Sequence, residues 1–329
     1  MKCSKATGPD DIPADLWKVK NWPAAIDWLH WLFNHIVYDE QTPANWQQSV
    51  TVPIWKQKGS PAKCANYQPI RLLSHTMKIF ERIIDSRIRT IVQLSINQCG
   101  FVKRCGTIDA IHAARLLFER HSEKTKQLHT AFLDLDKAFD RVPHSLIWYS
   151  LRKRSVPEEL VSWVQLLYQC PESQVHSAAG LSQPFPITVG VHQGSALSPL
   201  LFVIVMDVIT LDPQKPVPWM LLYADDVFLA SNDRKKLQRQ VQAWKDRLAH
   251  FGLRLNVQKM EYLTTNQTAM TMIAADSISL PKTMAFKYLG STITTDSNID
   301  TDAKHQVNAA WLNSAHQPAC YVTRECPSA

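Results

Sequence analysis

No two of the seven cysteines (Cys3, Cys64, Cys99, Cys105, Cys170, Cys320 and Cys326) have the C-x2-C or C-x4-C spacing of a zinc ribbon, finger or knuckle. A structural zinc site is therefore unsupported. The cysteine count is odd, no secretory leader opens the chain, and 329 residues need no staples, so reduced thiols in an intracellular compartment are expected. A membrane-length apolar run is also missing. The longest, Pro199 to Ile209, is interrupted by Asp207 and is far shorter than the ~20 residues of a spanning helix. No membrane partner is expected. Internal repeats and low-complexity linkers are absent too, which excludes a solenoid or a string of beads.

What remains is an ordinary globular composition, 45% hydrophobic and 20% charged, enough for one large core or two modest ones. The net charge of +7 leans towards a polyanionic partner such as nucleic acid. Periodicity predicts a Trp-bearing helix from Trp22 to Val37 and an amphipathic helix over 76–93. In the second, Met77, Phe80, Ile84 and Ile88 share a stripe, with Lys78, Arg82, Arg87 and Arg89 on a basic outer face. His129 to Leu135 reads as a strand. Helices are predicted over Pro143–Arg154, Pro157–Gln169 and Leu197–Ile209, and a hairpin over Gln174–Gly190. Trp219 to Ala230 reads as two strands around a tight turn. Asn232 or Asp233 then caps a helix with Leu237, Val241, Trp244, Leu248 and Phe251 inward, stopped by Gly252. Helices alternating with short antiparallel strands give an α+β fold with helices packed on one face of a sheet.

The chemistry concentrates in two acid clusters. Met220-Leu-Leu-Tyr-Ala-Asp-Asp-Val-Phe-Leu-Ala230 sets two acids inside an apolar run. Burying them is costly unless they sit at a turn, bind a cation, or both. Ala131-Phe-Leu-Asp-Leu-Asp-Lys-Ala-Phe-Asp140 ends another apolar strand, where alternation puts Asp134 and Asp136 on one face and Leu135 on the other. Three carboxylates from two strands suit a pair of Mg2+ ions, with Mn2+ as the alternative. Such a pair lowers the pKa of an attacking hydroxyl and neutralises a pyrophosphate leaving group.

These clusters resemble the two catalytic motifs of reverse transcriptases. Val191-His-Gln-Gly-Ser-Ala-Leu-Ser-Pro-Leu200, lying between them, is similar to the Gln-Gly-x-x-Leu-Ser-Pro motif of non-LTR retrotransposons. Leu255 to Leu263 and Phe286-Lys-Tyr-Leu-Gly290 follow in family order. Lys5 to Pro13, Asn66 to Ser74 and Gln98-Cys-Gly-Phe101 precede them, so the resemblance covers residues 5 to 311 and is nearest in flavour to RTE or CR1 elements. It implies a right-hand polymerase with fingers over 1–127, a palm with an antiparallel sheet over 128–290, and a thumb stub with an aberrant tail over 291–329. It implies an RNA template, a DNA primer and deoxynucleoside triphosphates. Asp134, Asp225 and Asp226 would be the metal ligands, with Leu135 joining both the metal- and nucleotide-binding sets. Phe139 would exclude a 2′-hydroxyl, Gln193 and Gly194 would line the nucleotide pocket, Lys259 would protonate pyrophosphate, and Arg71 and Lys56 would contact phosphate. Asp136 and Asp140 would be local supports.

Two positions depart from the family pattern. Gln68 stands where an arginine grips the triphosphate, and Arg104 and Cys105 stand at a Gly-Arg pair. Losing one bidentate phosphate contact costs about 2–4 kcal/mol of transition-state stabilisation, roughly 30- to 1000-fold in rate. There is no room upstream for an endonuclease domain, and the tail Ala319-Cys-Tyr-Val-Thr-Arg-Glu-Cys-Pro327 is unlike a thumb. A shifted reading frame, turning codons for Val-Leu-Cys-Asp into Cys-Tyr-Val-Thr, would account for it. The competing expectations are therefore a working polymerase and a catalytically inactive relic that at most binds nucleic acid. An unrelated metal-dependent hydrolase would leave the Gln-Gly and Tyr-Leu-Gly segments without a role.

Overall fold

The computed structural model describes residues 5–18, 22–57, 59–266, 272–275 and 278–315. The tail at 319–327 lies outside them. In chain order the elements are α1 (Pro23–Asp39), β1 (Gln48–Trp55), β2 (Tyr67–Leu72), α2 (His75–Ile91), α3 (Thr107–Glu123), β3 (His129–Leu133), α4 (Ala138–Arg141), α5 (His144–Lys153), α6 (Glu158–Leu166) and β4 (Glu172–Ser177). They continue with β5 (Gly180–Leu181), β6 (Phe185–Pro186), α7 (Ser198–Ile209), β7 (Met220–Tyr223), β8 (Asp226–Ser231), α8 (Arg234–His250), β9 (Glu261–Thr264), β10 (Ala274–Ala275), β11 (Ile278–Ser279), β12 (Ala285–Tyr288), β13 (Ser291–Thr294) and α9 (Asp300–Ala315).

Strand alternation organises the core. A four-stranded antiparallel sheet runs in the order β7-β8-β3-β9. Ala131, Leu133, Val227, Leu229, Met220 and Leu222 point to one face, where α5, α7 and α8 contribute to the larger core. Phe132, Phe228, Ala230 and Leu221 point to the other, against Ala110, Ala114, Leu117 and Phe118 of α3 and Tyr288 and Ile293 of the β12–β13 hairpin. The sheet is thus covered on both sides, not by helices on one face alone. Every residue of β3 is buried, the polar His129 and Thr130 included, as expected of a central strand covered on both faces. A second sheet joins β2, β1 and β4, with β5 and β6 at its edge, and pairs β1 parallel to β4.

The predicted helices appear close to their expected ends. Asp233 caps α8 by accepting from the Lys235 and Lys236 amides, and Leu237, Val241, Trp244 and Leu248 are buried. Helix α2 buries Met77, Phe80, Ile84 and Ile88 as the stripe requires. Its basic face is partly committed elsewhere: Arg89 pairs with Asp85 at 2.8 Å, and Arg87 lies over the Trp163 ring at 5.1 Å. Part of that basic face is therefore engaged within the fold. The Asp207 that interrupts the apolar run of α7 is fully buried, paired with Arg154, and accepts the Ser95 amide at 3.1 Å.

Asp207→Ala leaves the Arg154 guanidinium and the Ser95 amide without their partner. The expected loss is about 3–5 kcal/mol, read as a shift in the urea midpoint at constant m-value. An Arg154→Ala, Asp207→Ala pair should recover part of it. A single-variant loss below about 1 kcal/mol would show that the pair does not lock α7 in place.

Candidate active site

Antiparallel register gathers the acids at one end of the four-stranded sheet. Tyr223 pairs with Asp226 across the Ala224–Asp225 turn, and Val227 pairs with Leu133. Asp134 follows Leu133, so the register sets it opposite Asp226. The turn is not self-supporting, since Ala224 adopts a left-handed conformation with φ 57°. The Gln98 side chain holds it: its Oε1 accepts the Gly100 amide at 2.8 Å and the Ala224 amide at 3.0 Å. The Cys99 amide also donates to the Leu222 carbonyl and the Leu222 amide to the Asn97 carbonyl, each at 2.8 Å. Gly100 is required by this approach, because a Cβ there would lie 2.3 Å from the Ala224 nitrogen.

Burial and mutual repulsion define the electrostatics. Asp225 is pushed above the usual carboxylate range by desolvation, with Asp134 adding to the rise. Asp226 is raised to about 6, by desolvation first and by Asp225 and Asp134 next. Lys259 Nζ stands 3.2 Å from Asp134 Oδ2. It is brought there by the segment that flanks the end of β3, where the Asn256 amide donates to the Asp134 carbonyl and the Asp136 amide to the Arg254 carbonyl. The structure therefore brings together Asp134, Asp225, Asp226 and Lys259. The Leu135 side chain is buried at 4% exposure, so only its main chain can serve the cleft.

This donor set fits a hard divalent cation in kind: carboxylate oxygens, two of them on acids destabilised by their own charges, and a buried Asp134 Oδ2 whose near neighbour is the Lys259 ammonium. Among the described residues no three His, Cys, Asp or Glu side chains gather tightly enough to form a finished metal cage. The acids share an end of the sheet without closing on one point.

The expected nucleotide-pocket residues also meet. Gln193 Nε2 donates to Asp140 Oδ1 at 2.7 Å, and the Arg71 amide donates to the Gln193 carbonyl at 3.2 Å. Gly194 has φ 99°, and a Cβ there would sit 2.6 Å from the Arg71 carbonyl oxygen, so glycine is demanded twice over. Burial lowers the Arg71 pKa, Asp140 opposes that shift, and Nη1 lacks a protein partner. Phe139 stacks on Phe202 at 4.2 Å and meets Phe101 edge-on at 6.4 Å, so it is at once core and wall. His192, beside Gln193, is held down to about 3 by burial and stacks on Tyr168 at 4.3 Å, which makes it a neutral core residue. Asp136 pairs with Arg141 at 2.8 Å. Lys56 and Gln68 are exposed on the β1–β2 ribbon, with Gln68 opposite Ile54.

Two supports are not legible from the sequence as such. Gln98 stands out there only as part of a motif. Glu81 is a polar position on the sequence of α2, yet it is fully buried beneath the Gln193–Gly194 turn. It accepts Ser195 Oγ at 2.6 Å and the Ala196 amide at 2.8 Å, and desolvation raises its pKa to about 7. The expectation of reduced thiols also needs correction: Cys99 and Cys105 form a disulfide with Cα atoms 5.1 Å apart. Cys99 is fixed against β7, Asp109 accepts the Gly106 amide at 2.7 Å, and the chain turns back between them through Phe101 (φ 58°) and Arg104 (φ 67°). A left-handed residue at 104 accounts for the glycine preferred there. Cys64 and Cys170 are free and exposed.

The raised carboxylates have a thermodynamic consequence. The folded chain binds the Asp225 and Asp226 protons more tightly than the unfolded chain does. That contribution is present below the ordinary carboxylate range and is lost as pH rises above it, for Asp226 through about 6. The melting temperature should therefore fall across that window, and fall less in an Asp225→Asn, Asp226→Asn variant. Glu81 adds a fall of the same sign near 7 that both proteins share. At neutral pH Mg2+ should raise the melting temperature of the unaltered chain and leave the variant unmoved. Identical profiles in both proteins would refute this electrostatic account.

A family model described as "Reverse transcriptase (RNA-dependent DNA polymerase)" matches residues 54–293. The chain is 28% identical over 266 residues to the Pol polyprotein of the type-1 retrotransposable element R2 of Nasonia vitripennis, covering 78% of this chain and 25% of that protein. It is 28% identical over 286 residues to the RNA-directed DNA polymerase from mobile element jockey of Drosophila melanogaster, covering 82% of this chain and 31% of that one. The chain thus spans about a quarter to a third of these relatives' length. They do not separate the RTE and CR1 types. Among solved structures, telomerase from Candida tropicalis in complex with a TWJ fragment of telomeric RNA gives a TM-score of 0.53 at 12% identity, covering 88% of this chain and 49% of that one. The apo telomerase from Candida tropicalis, truncated from its C-terminal domain, gives 0.52 at 11%, covering 83% and 59%. These likenesses show the fold, that of a right-hand polymerase. With motifs, sheet register and a family match over most of its length in agreement, the chain belongs to the reverse transcriptase (RNA-dependent DNA polymerase) family, as a domain of the non-LTR retrotransposon kind.

Proposed function

We propose that this domain catalyses template-directed addition of deoxynucleotides to a DNA primer, with Asp134, Asp225 and Asp226, and the main chain at Leu135, holding two Mg2+ ions or, in their place, Mn2+. The observation that carries the reading is the meeting of three acids from two strands at a half-buried hairpin end, where Asp226 is raised to about 6 by burial and like charge. The chemistry that such ions supply is activation of a primer 3′-hydroxyl and neutralisation of the pyrophosphate charge. Lys259, at the cleft edge, holds a proton at Nζ that the departing pyrophosphate can take. Phe139, backed by Phe202, presents a ring that a ribose 2′-hydroxyl would strike. Gln193 and Gly194 offer an amide and close backbone approach to the nucleotide. Arg71, with Nη1 unpartnered beside them, offers a cation to its phosphates.

In this reading the segments before residue 128 act as fingers, residues 128–290 as the palm, and the remainder as a thumb stub. RNA is the template, and deoxynucleoside triphosphates are the substrates. The competing reading, a domain that keeps the fold and binds nucleic acid without turnover, is favoured by two observations. Gln68 leaves an exposed amide where the triphosphate grip is expected, and Cys105 is tied into a disulfide in place of an arginine. By strand alternation Arg71 lies on the opposite face of β2 from Gln68, so it does not restore that grip in place.

Primer extension on an RNA template with Mg2+ and deoxynucleotides tests the proposal. Extension by the unaltered chain, lost at least ~1000-fold in Asp225→Asn, Asp226→Asn, is the expected result. A Gln68→Arg change should raise the rate by roughly 30- to 1000-fold. Silence from all three proteins, each shown to be folded, would overturn the proposal in favour of the inactive reading.

A further inference from the structure

Away from the acids, where the C-terminal half of α3 meets the start of β7, lies a cavity of about 480 Å³. That volume falls within the ~300–1,000 Å³ typical of ligand sites. Pro218 and Trp219 form one side, and Arg120, Lys124 and Lys126 stand around it. Trp219 is half-buried, and the three cations are exposed and form no ion pair among the described residues. The acids of the same helix, Asp109, Glu119 and Glu123, do not line the cavity. The indole is held in place: His121 meets it edge-on at 5.7 Å, and the His121 ring is itself fixed by the Leu117 carbonyl at 2.7 Å and Asn232 Oδ1 at 2.8 Å. Trp219 precedes β7 while Tyr223 ends it. At ~3.3 Å per residue, the cavity is about 13 Å along the strand from the catalytic turn.

We infer that this cavity binds single-stranded RNA outside the polymerisation cleft, taking one unstacked base against Trp219 and the flanking phosphates on Arg120, Lys124 and Lys126. The chemistry selects for a single strand, and the polymerase reading makes that strand RNA. An aromatic wall in a concave, partly apolar site takes the face of a base, and every base has one. Three cations that form no ion pair among the described residues line the site and suit the phosphates flanking that base. A duplex keeps its bases stacked inside and offers no single ring to fill a cavity of this size. An acidic peptide would satisfy the cations but leave the indole without a planar partner. The proposal goes beyond the polymerase reading and rests on it only for what brings RNA to the chain.

The test is fluorescence anisotropy of a short, fluorescein-labelled, single-stranded oligoribonucleotide, measured across a salt series without Mg2+ or nucleotides, so that turnover plays no part. Arg120→Ala, Lys124→Ala, Lys126→Ala should weaken binding at least ~10-fold and reduce the slope of log affinity against log salt by about 2, the loss of three phosphate contacts at ~0.7 each. A charge-matched control, Lys235→Ala, Lys236→Ala, Arg239→Ala on α8, should leave the slope nearer to that of the unaltered chain. Trp219→Ala should weaken binding with the slope unchanged, and Trp219→Phe, which keeps a ring and spares the fold, should restore most of it. Equal losses in the control would overturn the proposal by reducing the effect to net charge. So would competition by double-stranded RNA or polyglutamate as effective as that by unlabelled single strand. Failure of primer extension would leave all these readouts standing, so the two readings fail separately.

Discussion

The constraint on which the site depends is the cost of keeping three carboxylates at the half-buried end of an apolar sheet. Desolvation and like charge both work against Asp225 and Asp226, and sheet pairing alone would not hold the left-handed Ala224 that precedes them. The surrounding structure supplies what the hairpin lacks. Gln98 saturates the turn amide, the segment around Asn256 fixes the backbone at Asp134, and Lys259 gives that acid its nearby cation. Because β3 and β8 are packed on both faces, the acids cannot relax away from one another without disturbing two cores. A folded domain stores this arrangement at a cost that a bound cation would offset.

The same logic of local support recurs at the Gln193–Gly194 turn. Glu81 rises from α2 beneath Ser195 and Ala196, while Gly194 lies against the Arg71 carbonyl with no space for a side chain. Helix and strand thereby grip one turn from two directions. The departures of this chain fall on the more exposed side of that arrangement. Gln68 faces outward on β2, and Arg104 sits in a loop that the Cys99–Cys105 bridge closes. None of these changes disturbs the buried supports, which explains how the fold and the acid triad persist together with them.

Much of this is legible in the sequence, because the relevant signals are local. Asp225 and Asp226 stand out against apolar neighbours, the stripe of Met77, Phe80, Ile84 and Ile88 has helical period, and Asp233 and Gly252 bracket α8 as cap and stop. Other features depend on partners that no local pattern announces. Glu81 lies next to the buried stripe, but its partner Ser195 is 114 residues away. β1 and β2 carry Pro53 and Pro69, which mask a strand signal, and β1 finds its other neighbour in β4, more than a hundred residues on. The coverage of the sheet's second face by α3 and β12–β13 is also hidden, since the consecutive apolar residues of β7 and β8 say that both faces are buried but not by what. The cysteine pair is obscure for a different reason: its spacing suits no metal, and only the turn through Phe101 and Arg104 brings the two ends together.

The clamp on the Ala224–Asp225 turn joins residues 126 positions apart, Gln98 and Ala224. The clamp is therefore the earlier-made partner of the turn it shapes. On a chain emerging from its N-terminus, the loop bearing Gln98 is already present when β7 and β8 are made, and the hairpin can close against an existing template. A chain refolding from full length has no such order. It must close a long loop before the turn can take its final shape, and loop closure of that span is entropically slow. The acids would then settle late, although the β7–β8 hairpin that carries two of them is a local pairing.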